Sequence, residues 1–383
     1  MGRHIFISTG DFSGDVHAVA LVKIIRQINK ATPEPNAINF TGIGGKTLGR
    51  EMDVFLADTL SIEGFGLSGL FSKYLFFKNL LNSKIKTFFE LNCPDLIILV
   101  DFYGFNIHIA QYAKKLSIPV VYYISPQVYV SREYRVKKIK KYVDKVICIF
   151  PFERKVYEKY SVDVEYFGNP LVDIIDQELH DSKHDIELEK YEGKNLIGLM
   201  PGSRESELNS LLGPMLNIIK RSMAYKSAKI LVFAAESLEK SAIDKICKDS
   251  EINEHVDIIS GDSYALRSKL NFCLTASGTI TVENAILGIP MIIMYKLPWL
   301  TFKIAKAIVK VNYIGMPNLL AQKEILPEFV QDINEHKIAE KVAEWQDNPE
   351  VLASVKKSLG EIQEIIGKPG VIQKAAQVCL SFL

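Results

Sequence analysis

The sequence predicts an α/β protein with two successive Rossmann-like parallel-sheet domains facing a cleft (a two-domain arrangement) and a helical C-terminal tail. Short runs that are apolar throughout alternate with longer segments of helical periodicity, which is typical of parallel strands covered by helices on both faces. The pattern stops at a polar, charged stretch over residues 168–194 and then restarts. With 383 residues, 48% of them hydrophobic, the chain is long enough for two cores.

In the first half, apolar runs predict five strands, and the first leads through a turn into a helix over residues 15–28. The second half repeats the arrangement with five more runs. The predicted strands are 4–8, 38–42, 95–100, 119–124, 145–149, 196–200, 229–234, 256–259, 271–274 and 291–294. We therefore expect domains at residues 1–168 and 169–350, with helices over 351–383 that pack back on the first domain.

Composition excludes several classes of protein. The net charge of +1 provides no general attraction to nucleic acid. Five scattered cysteines without a Cys-x-x-Cys pair indicate a reducing compartment rather than a disulfide framework. The N-terminus lacks the apolar core of a secretory signal, and no uncharged apolar run reaches the roughly 18 residues of a membrane span. We therefore expect a cytoplasmic protein.

Common nucleotide and metal motifs are missing. Gly45-Lys46-Thr47 resembles the end of a P-loop, but Phe40 stands where the first glycine is required. The dinucleotide fingerprint is also absent, which disfavours a nicotinamide enzyme. His180 and His184 lie in the polar stretch, where solvated side chains are expected rather than a metal site. Because the chain has no Asp-x-Asp, a phosphate site would depend on arginine and helix ends, and we predict no metal and no cofactor.

The stretch 195–207 (NLIGLMPGSRESE) is the first of three loops at the carboxyl ends of predicted strands, where ligands collect in open parallel sheets. Its turn, which contains Ser203, leaves backbone N–H groups free at the start of a helix whose dipole favours an anion. Arg204 adds a planar fork that suits phosphate oxygens. The simpler alternative is an ordinary strand-to-helix turn with an exposed arginine.

The other two loops also allow two interpretations. Residues 274–285 (LTASGTITVENA) place small residues at a helix start, which suits phosphate, and Glu283 one turn later suits two ribose hydroxyls. The small residues are Ser277, Gly278 and Thr279. The alternative is helix capping, with Glu283 complementing the dipole. Residues 100–106 (VDFYGFN) place Asp101 at a strand end, where a carboxylate is either a helix cap or a general base.

Six segments in order resemble the lipid-A-disaccharide synthases, which are glycosyltransferases of the GT-B fold, and the similarity runs nearly end to end. The segments are GDFSGD (10–15), VDFYGFN (100–106), YYISPQVYVSREYRVKKIKKYVDKVICIFPFE (122–153), MPGSRESE (200–207), ASGTITVENA (276–285) and YKLPWLTFKIAKAIVKVNYIGMPNLLA (295–321). The resemblance implies transfer of 2,3-diacylglucosamine from its UDP derivative to 2,3-diacylglucosamine 1-phosphate. The product would be the β-1′,6-linked lipid A disaccharide 1-phosphate of a lipopolysaccharide envelope, with UDP released and the configuration inverted.

The resemblance also implies roles for individual residues. Asp101 stands at the position of the family's catalytic base, Arg204 at that of its essential arginine, and Asn318 at the nucleotide end. The first turn, near donor or acceptor, contains Gly10, Asp11, Ser13 and Gly14, with Asp11 in place of the family's usual glutamate. Gly104 replaces a second aspartate, and Tyr129 and Ser131 replace two tryptophans. The first domain would thus hold the acceptor and face the membrane, and the second would hold the UDP-sugar.

The acylated substrates would need an apolar surface, which residues 64–81 (GFGLSGLFSKYLFFKNLL) suggest. Their apolar positions exceed what one buried stripe requires, which favours contact with membrane or acyl chains; the alternative is a helix buried on two sides. The residues assigned to this patch are Leu67, Leu70, Phe71, Tyr74, Phe76 and Phe77. Arg132, Lys137 and Lys138 would contact anionic headgroups or the acceptor phosphate, unless they only form a solvated face.

The expected partners are the UDP-diacylglucosamine donor, the diacylglucosamine 1-phosphate acceptor and the inner leaflet of the cytoplasmic membrane, where the protein would be peripheral. No nucleic acid partner is expected, and an oligomer is left open. Two other functions fit parts of the pattern. A nucleotide-sugar 2-epimerase has the same two-domain fold and a UDP pocket, but needs no apolar patch. A non-enzymatic, two-lobed small-ligand-binding protein usually works outside the cytoplasm, and no export signal is seen.

Overall fold

The computed structural model describes residues 2–32, 37–61, 66–126, 128, 134–181, 186–235, 238–261, 263–297 and 312–383. The chain forms two compact units. The first comprises Met1–Asp173 with Gly367–Leu383, and the second comprises Ile174–Ile366. The sequence placed the divisions at 168 and 350, so the chain enters the second unit slightly later and leaves it one long helix later than predicted.

In the described part of the first unit, seven parallel strands form one sheet in the order β3-β2-β1-β4-β5-β6-β7. The strands are β1 (Arg3–Ser8), β2 (Ile38–Gly44), β3 (Val54–Asp58), β4 (Leu96–Val100), β5 (Val120–Tyr123), β6 (Lys145–Cys148) and β7 (Val164–Tyr166). Every residue of β4 is fully buried, as expected of a central strand with helices on both faces.

The helices of the first unit follow the strands in alternation. They are α1 (Phe12–Lys30), α2 (Lys46–Glu51), α3 (Gly66–Asn79), α4 (Lys86–Leu91), α5 (Tyr103–Lys115), α6 (Tyr134–Tyr142), α7 (Pro151–Lys159) and the start of α8 (Leu171–Asp181). A π-helical turn, Leu80–Ile85, joins α3 to α4. The last helix of the chain, which we label α17 (Val371–Leu380), packs against α1 and so returns to this unit.

The described residues of the second unit form a six-stranded parallel sheet in the order β10-β9-β8-β11-β12-β13. Its strands are β8 (Leu196–Met200), β9 (Lys229–Ala234), β10 (Val256–Ser260), β11 (Phe272–Ala276), β12 (Met291–Tyr295) and β13 (Glu328–Val330). Its helices are α9 (Ile186–Glu189), α10 (Glu205–Arg221), α11 (Lys240–Lys248), α12 (Tyr264–Arg267), α13 (Thr279–Ile286), α14 (Met316–Ala321), α15 (Glu335–Asp347) and α16 (Pro349–Ile366).

The predicted fold class is confirmed: two Rossmann-like parallel sheets and a helical C-terminal segment are present. Each predicted strand has its counterpart, and the sequence missed β3, β7 and β13. All three are edge strands, short and partly exposed, so they lack the continuous apolar run by which the buried strands were recognised. Among the described residues, no helix is both long and apolar enough to cross a membrane.

Candidate active site

The loop after β4 holds Asp101 in an unusual backbone conformation. Asp101 and Phe102 both lie in the left-handed region, with φ values of 41° and 46°. Hydrogen bonds fix this shape: the Asp101 N–H donates to the Ile124 carbonyl at 3.0 Å, and the Asp101 carbonyl accepts from the Tyr122 hydroxyl at 2.5 Å. Such conformations persist only where the surroundings enforce them, and they cluster at functional sites.

The buried amide of Asn106 provides a second support for this loop. Its Nδ2 donates to the carbonyls of Asp101 (3.0 Å) and Val100 (3.1 Å), while its Oδ1 accepts from the Ser8 hydroxyl at 2.5 Å. Asn106 therefore ties the end of β1 to the end of β4. In the sequence, the only signal for this role of Asn106 was its polar side chain on the buried face of a helix. Its hydrogen bonds to the Asp101 loop could not be inferred from that position.

The Asp101 carboxyl group has a raised pKa. Burial raises its pKa to about 6, and the nearby Asp11 carboxylate acts in the same direction, whereas the Phe102 N–H and Arg135 act against it. A pKa near the working pH suits a general base. The capping alternative does not describe this loop, because the N-cap residue of α5 is Phe102 and no described side chain caps that helix.

The predicted first turn lies beside the same loop. Asp11 is the N-cap of α1, and its carboxylate accepts a hydrogen bond from the Gly14 N–H at 2.6 Å. A Cβ atom on Gly10 would stand only 2.2 Å from the ring of Phe102, so glycine is required for the turn and the loop to pack. The turn thus supports the Asp101 loop, and Ser13 lies half-buried in the first turn of α1.

In the second unit, the turn after β8 is exposed. Arg204 is the N-cap residue of α10, and its side chain is 75% exposed. Its Nη1 pairs with Oε1 of Glu207 at 2.7 Å, while Oε2 of Glu207 accepts from the Ser203 N–H at 3.1 Å. Glu207 therefore occupies both the arginine and one of the N–H groups that the sequence assigned to a phosphate.

The loop after β11 combines an open backbone with a fixed carboxylate. Gly278 has a φ of 143° and is the N-cap of α13, where no described side chain caps the helix, so capping by Ser277 or Thr279 is not observed. Ser277 approaches the Ile314 carbonyl at 3.5 Å, and Thr279 is exposed. The helix start is thus open to a ligand, as a phosphate site requires.

Glu283 has a partner that the sequence did not reveal. Its Oε2 pairs with Nη1 of Arg267 at 2.7 Å, and Nη2 of Arg267 donates to Oδ1 of Asn284 at 2.6 Å. Arg267 is fully buried and stacks over the Tyr264 ring, 5.0 Å from its centroid. Arg267 therefore sets the orientation of Glu283. Its only signal in the sequence was a lone arginine in the short helix α12.

Asn318, which the sequence assigns to the nucleotide end, is fully hydrogen-bonded within its own segment. Its Nδ2 donates to the Leu326 carbonyl at 2.8 Å and to Oε1 of Glu328 at 2.7 Å. Its Oδ1 accepts from the N–H groups of Ile325 (2.8 Å) and Leu326 (3.0 Å). These four bonds saturate the buried amide. Asn318 thus shapes the 318–328 segment, and its place at the nucleotide end stays a prediction.

The predicted apolar patch is narrower than expected. The side chains of Phe71 and Tyr74 are 64% and 60% exposed. In contrast, Phe76 and Phe77 pack against the core, and the Phe77 ring lies 5.1 Å from that of Phe102 and 4.9 Å from that of Phe105. These two residues are therefore removed from the exposed patch.

The remaining residues assigned to lipid contact are described only in part. The side chains of Leu67 and Leu70, like the whole of Arg132, lie outside the described residues. Lys137 and Lys138 are exposed on α6, as expected of cations available to an anionic partner.

Comparison with known proteins gives consistent results. The family model for lipid-A-disaccharide synthetase matches residues 5–380. A lipid-A-disaccharide synthase from Sulfurihydrogenibium sp. (strain YO3AOP1) is 32% identical over 100% of this chain and 98% of its own length.

Two solved structures share the fold over the whole chain. A UDP-GlcNAc 2-epimerase from Neisseria meningitidis bound to UDP-GlcNAc aligns with a TM-score of 0.64 and 13% identity, covering 100% of both chains. The glycotransferase of kitacinnamycin aligns with a TM-score of 0.66 and 14% identity, again covering 100% of both. At these identities, the structural likeness shows the fold alone.

Proposed function

Because the chain belongs to the lipid-A-disaccharide synthetase family, we propose that it joins 2,3-diacylglucosamine, carried by UDP, to 2,3-diacylglucosamine 1-phosphate. It is a glycosyltransferase that uses a UDP-sugar donor and a lipid-linked acceptor. The proposed product is the β-1′,6-linked disaccharide 1-phosphate, and UDP is released.

The observation that carries the proposal is the Asp101 loop. In the proposed reaction, the 6-hydroxyl of the acceptor attacks the anomeric carbon of the donor from the face opposite UDP. Asp101 takes the hydroxyl proton, and the configuration at the anomeric carbon inverts. A buried carboxyl group with a pKa of about 6 is ionised at neutral pH and remains basic enough for this step. The first unit therefore holds the acceptor in this proposal.

The second unit is proposed to hold the donor. Charge develops on the diphosphate as the bond to the sugar breaks, and preorganised donors at that position lower the barrier. Ser203, Arg204 and the open start of α13 with Ser277, Gly278 and Thr279 are suited to this task. Glu283, oriented by Arg267, is proposed to accept hydrogen bonds from the two ribose hydroxyls.

The acyl chains are proposed to lie against the exposed face of α3, where the protein also contacts the inner leaflet of the cytoplasmic membrane. Phe71, Tyr74 and Leu75 are exposed there, while Phe77 in the same helix packs on Phe102 beside Asp101. Exposed aromatic side chains next to lysines are typical of interfacial binding.

Vesicle co-sedimentation tests this surface. We expect a Phe71→Ser/Tyr74→Ser variant to lose most of its binding to vesicles that contain anionic phospholipid. The matched control is Leu91→Ser, because Leu91 is 77% exposed in the same unit and lies outside the patch. Equal binding by the variant and the wild type would contradict the lipid contact.

A product assay tests the proposed reaction. Incubation with UDP-2,3-diacylglucosamine and 2,3-diacylglucosamine 1-phosphate should give the disaccharide 1-phosphate and UDP in equal amounts, with and without a chelator. The epimerase alternative is tested with UDP-N-acetylglucosamine, which should not be converted to its 2-epimer. Epimer formation without disaccharide would overturn the proposal.

A further inference from the structure

Arg135 places a positive charge beside the Asp101 loop, and neither the motif comparison nor the proposed function assigns it a role. Its guanidinium lies over the Tyr103 ring, with Cζ 4.4 Å from the ring centroid. Tyr103 opens α5 two residues after Asp101, and α6, which carries Arg135, packs against α5. Within the described residues, Nε of Arg135 has no hydrogen-bond partner. The stack on Tyr103 thus positions the side chain.

In the described part of the chain, the other ionisable groups that face Asp101 are acids. Asp11 comes from the turn after β1, Glu153 from the first turn of α7 and Tyr122 from β5. Glu153 is almost fully buried, and its Oε2 accepts from the N–H groups of Ile149 (3.2 Å) and Phe150 (3.1 Å). Burial raises the pKa of Glu153 to about 8.

This arrangement disfavours a negative charge on Asp101. Removal from water and the neighbouring carboxyl groups both oppose ionisation, whereas the cationic guanidinium of Arg135 lowers the pKa of Asp101. The stack on Tyr103 keeps that charge in place at a half-buried position, where screening by water is weaker than at the surface.

We propose that Arg135 is a positioning residue for the transfer reaction, because its stacked guanidinium stabilises the ionised form of Asp101 that accepts the proton of the attacking hydroxyl. The inference rests on the proposed role of Asp101 as base. It assigns Arg135 to the carboxylate rather than to a lipid headgroup.

The test is the pH dependence of kcat/KM for Arg135→Met, Arg135→Lys and the wild type. The acid limb of the wild-type profile should follow Asp101, near pH 6. Without the cation the pKa of Asp101 rises, so Arg135→Met should move this limb to higher pH. We expect about a 2- to 5-fold loss of kcat/KM at pH 5.5 and almost no loss at pH 8.5, where Asp101 is ionised in both proteins. Arg135→Lys, which keeps the charge, should shift the limb less.

Lys141→Met is the matched control, because Lys141 lies on the same helix and over another tyrosine, 5.3 Å from the Tyr142 centroid. It should leave the acid limb in place. Thermal melting and UDP binding check that each variant is folded. A loss of activity that is equal at all pH values in Arg135→Met would overturn the proposal.

Asp101→Asn separates this inference from the assignment it rests on. If Asp101→Asn is inactive while the limb of Arg135→Met stays in place, only the role of Arg135 fails. If Asp101→Asn keeps normal turnover, the proposed base itself is wrong.

Discussion

The loops after β4 and β8 have the same position in their sheets but differ in how firmly their central residue is held. Each follows a fully buried central strand of its sheet and leads into a helix. In the first unit, Asp101 is held in a left-handed backbone by Tyr122 and Asn106, and burial perturbs the pKa of its carboxyl group. In the second unit, Arg204 is exposed and its charge is paired with Glu207 on its own helix.

This difference shows which part of the chemistry is built in advance. The Asp101 backbone cannot reorient without breaking its hydrogen bonds to Tyr122 and Asn106, so the position of the proposed base is set before the substrate arrives. Arg204 is 75% exposed, although Glu207 is only 13% exposed, and ion pairs that reach solvent contribute little stability. We therefore expect a diphosphate to displace Glu207 from Arg204 at small cost, so that the proposed donor site is completed only when the donor binds.

The largest expected effect on activity comes from a substitution in the Asp101 loop. Asp101→Asn keeps the size of the side chain but removes its basicity, so kcat should fall by ~10²–10⁴-fold. UDP affinity, measured by calorimetry, should change little because the proposed donor site lies in the other unit. Normal turnover in a folded Asp101→Asn protein would contradict the proposed role of Asp101 as the base.

The loop after β8 should be somewhat less sensitive to substitution than the Asp101 loop. Arg204→Ala removes a proposed donor to the leaving diphosphate, and kcat should fall by ~10²–10³-fold. UDP affinity should fall as well, in contrast to Asp101→Asn. The matched control is Arg221→Ala on the same helix, whose arginine is also exposed and ion-paired. If Arg204→Ala binds UDP and turns over as the wild type does, the phosphate role of this loop is wrong.

Glu207→Gln sharpens the comparison by testing whether Glu207 competes with the substrate. Because Arg204 is 75% exposed, its ion pair should contribute about 0.2–1 kcal/mol, so the loss of the pair should lower the KM for the donor by about 1.5- to 5-fold. The amide oxygen of the variant can still accept from the Ser203 N–H. A raised KM would mean that Glu207 positions the loop rather than competing with the diphosphate.

The pH dependence of stability tests the buried acids of the first unit. The pKa of Glu153 is raised to about 8, so the folded state binds more protons than the unfolded state above pH 4.5. The wild type should therefore lose stability as the pH rises from about 5 to 8, and Glu153→Gln should reduce this slope. Urea unfolding at both pH values measures it. An equal slope in the two proteins would contradict the burial argument.

The smallest effect is expected at Gly104, where the family's second aspartate is missing. A Cβ atom there would meet nothing within 4 Å, and the position lies in the first turn of α5, where a carboxylate complements the dipole. Gly104→Asp should stabilise the protein by about 0.5–1 kcal/mol. Activity should be retained. A strong loss of activity would show that the Asp101 loop tolerates no further negative charge.

The sequence predicts much of the fold because buried parallel strands carry their signal locally. A run such as that of β4 is apolar at every position, whereas β3, β7 and β13 are half-exposed edges without such a pattern. The loops that follow these strands could be located in the sequence because each begins where an apolar run ends.

The partners within the sites could not be predicted because they depend on tertiary packing. Arg267 meets Glu283 across 16 residues of sequence, and Arg135 reaches the Asp101 loop only because α6 packs on α5. Asn318 was assigned to the nucleotide end from its motif. The hydrogen bonds that its amide makes within the folded segment cannot be inferred from motif similarity.

The contact between Gly10 and Phe102 has an evolutionary consequence. Even alanine at position 10 would place a methyl group 2.2 Å from the Phe102 ring, and that ring is packed in turn on Phe77 of α3. A larger residue at position 10 therefore becomes acceptable only after position 102 has become smaller, and the space left against Phe77 must then be refilled. We therefore expect positions 10, 77 and 102 to covary, so that relatives with a different residue at one of them also differ at the others.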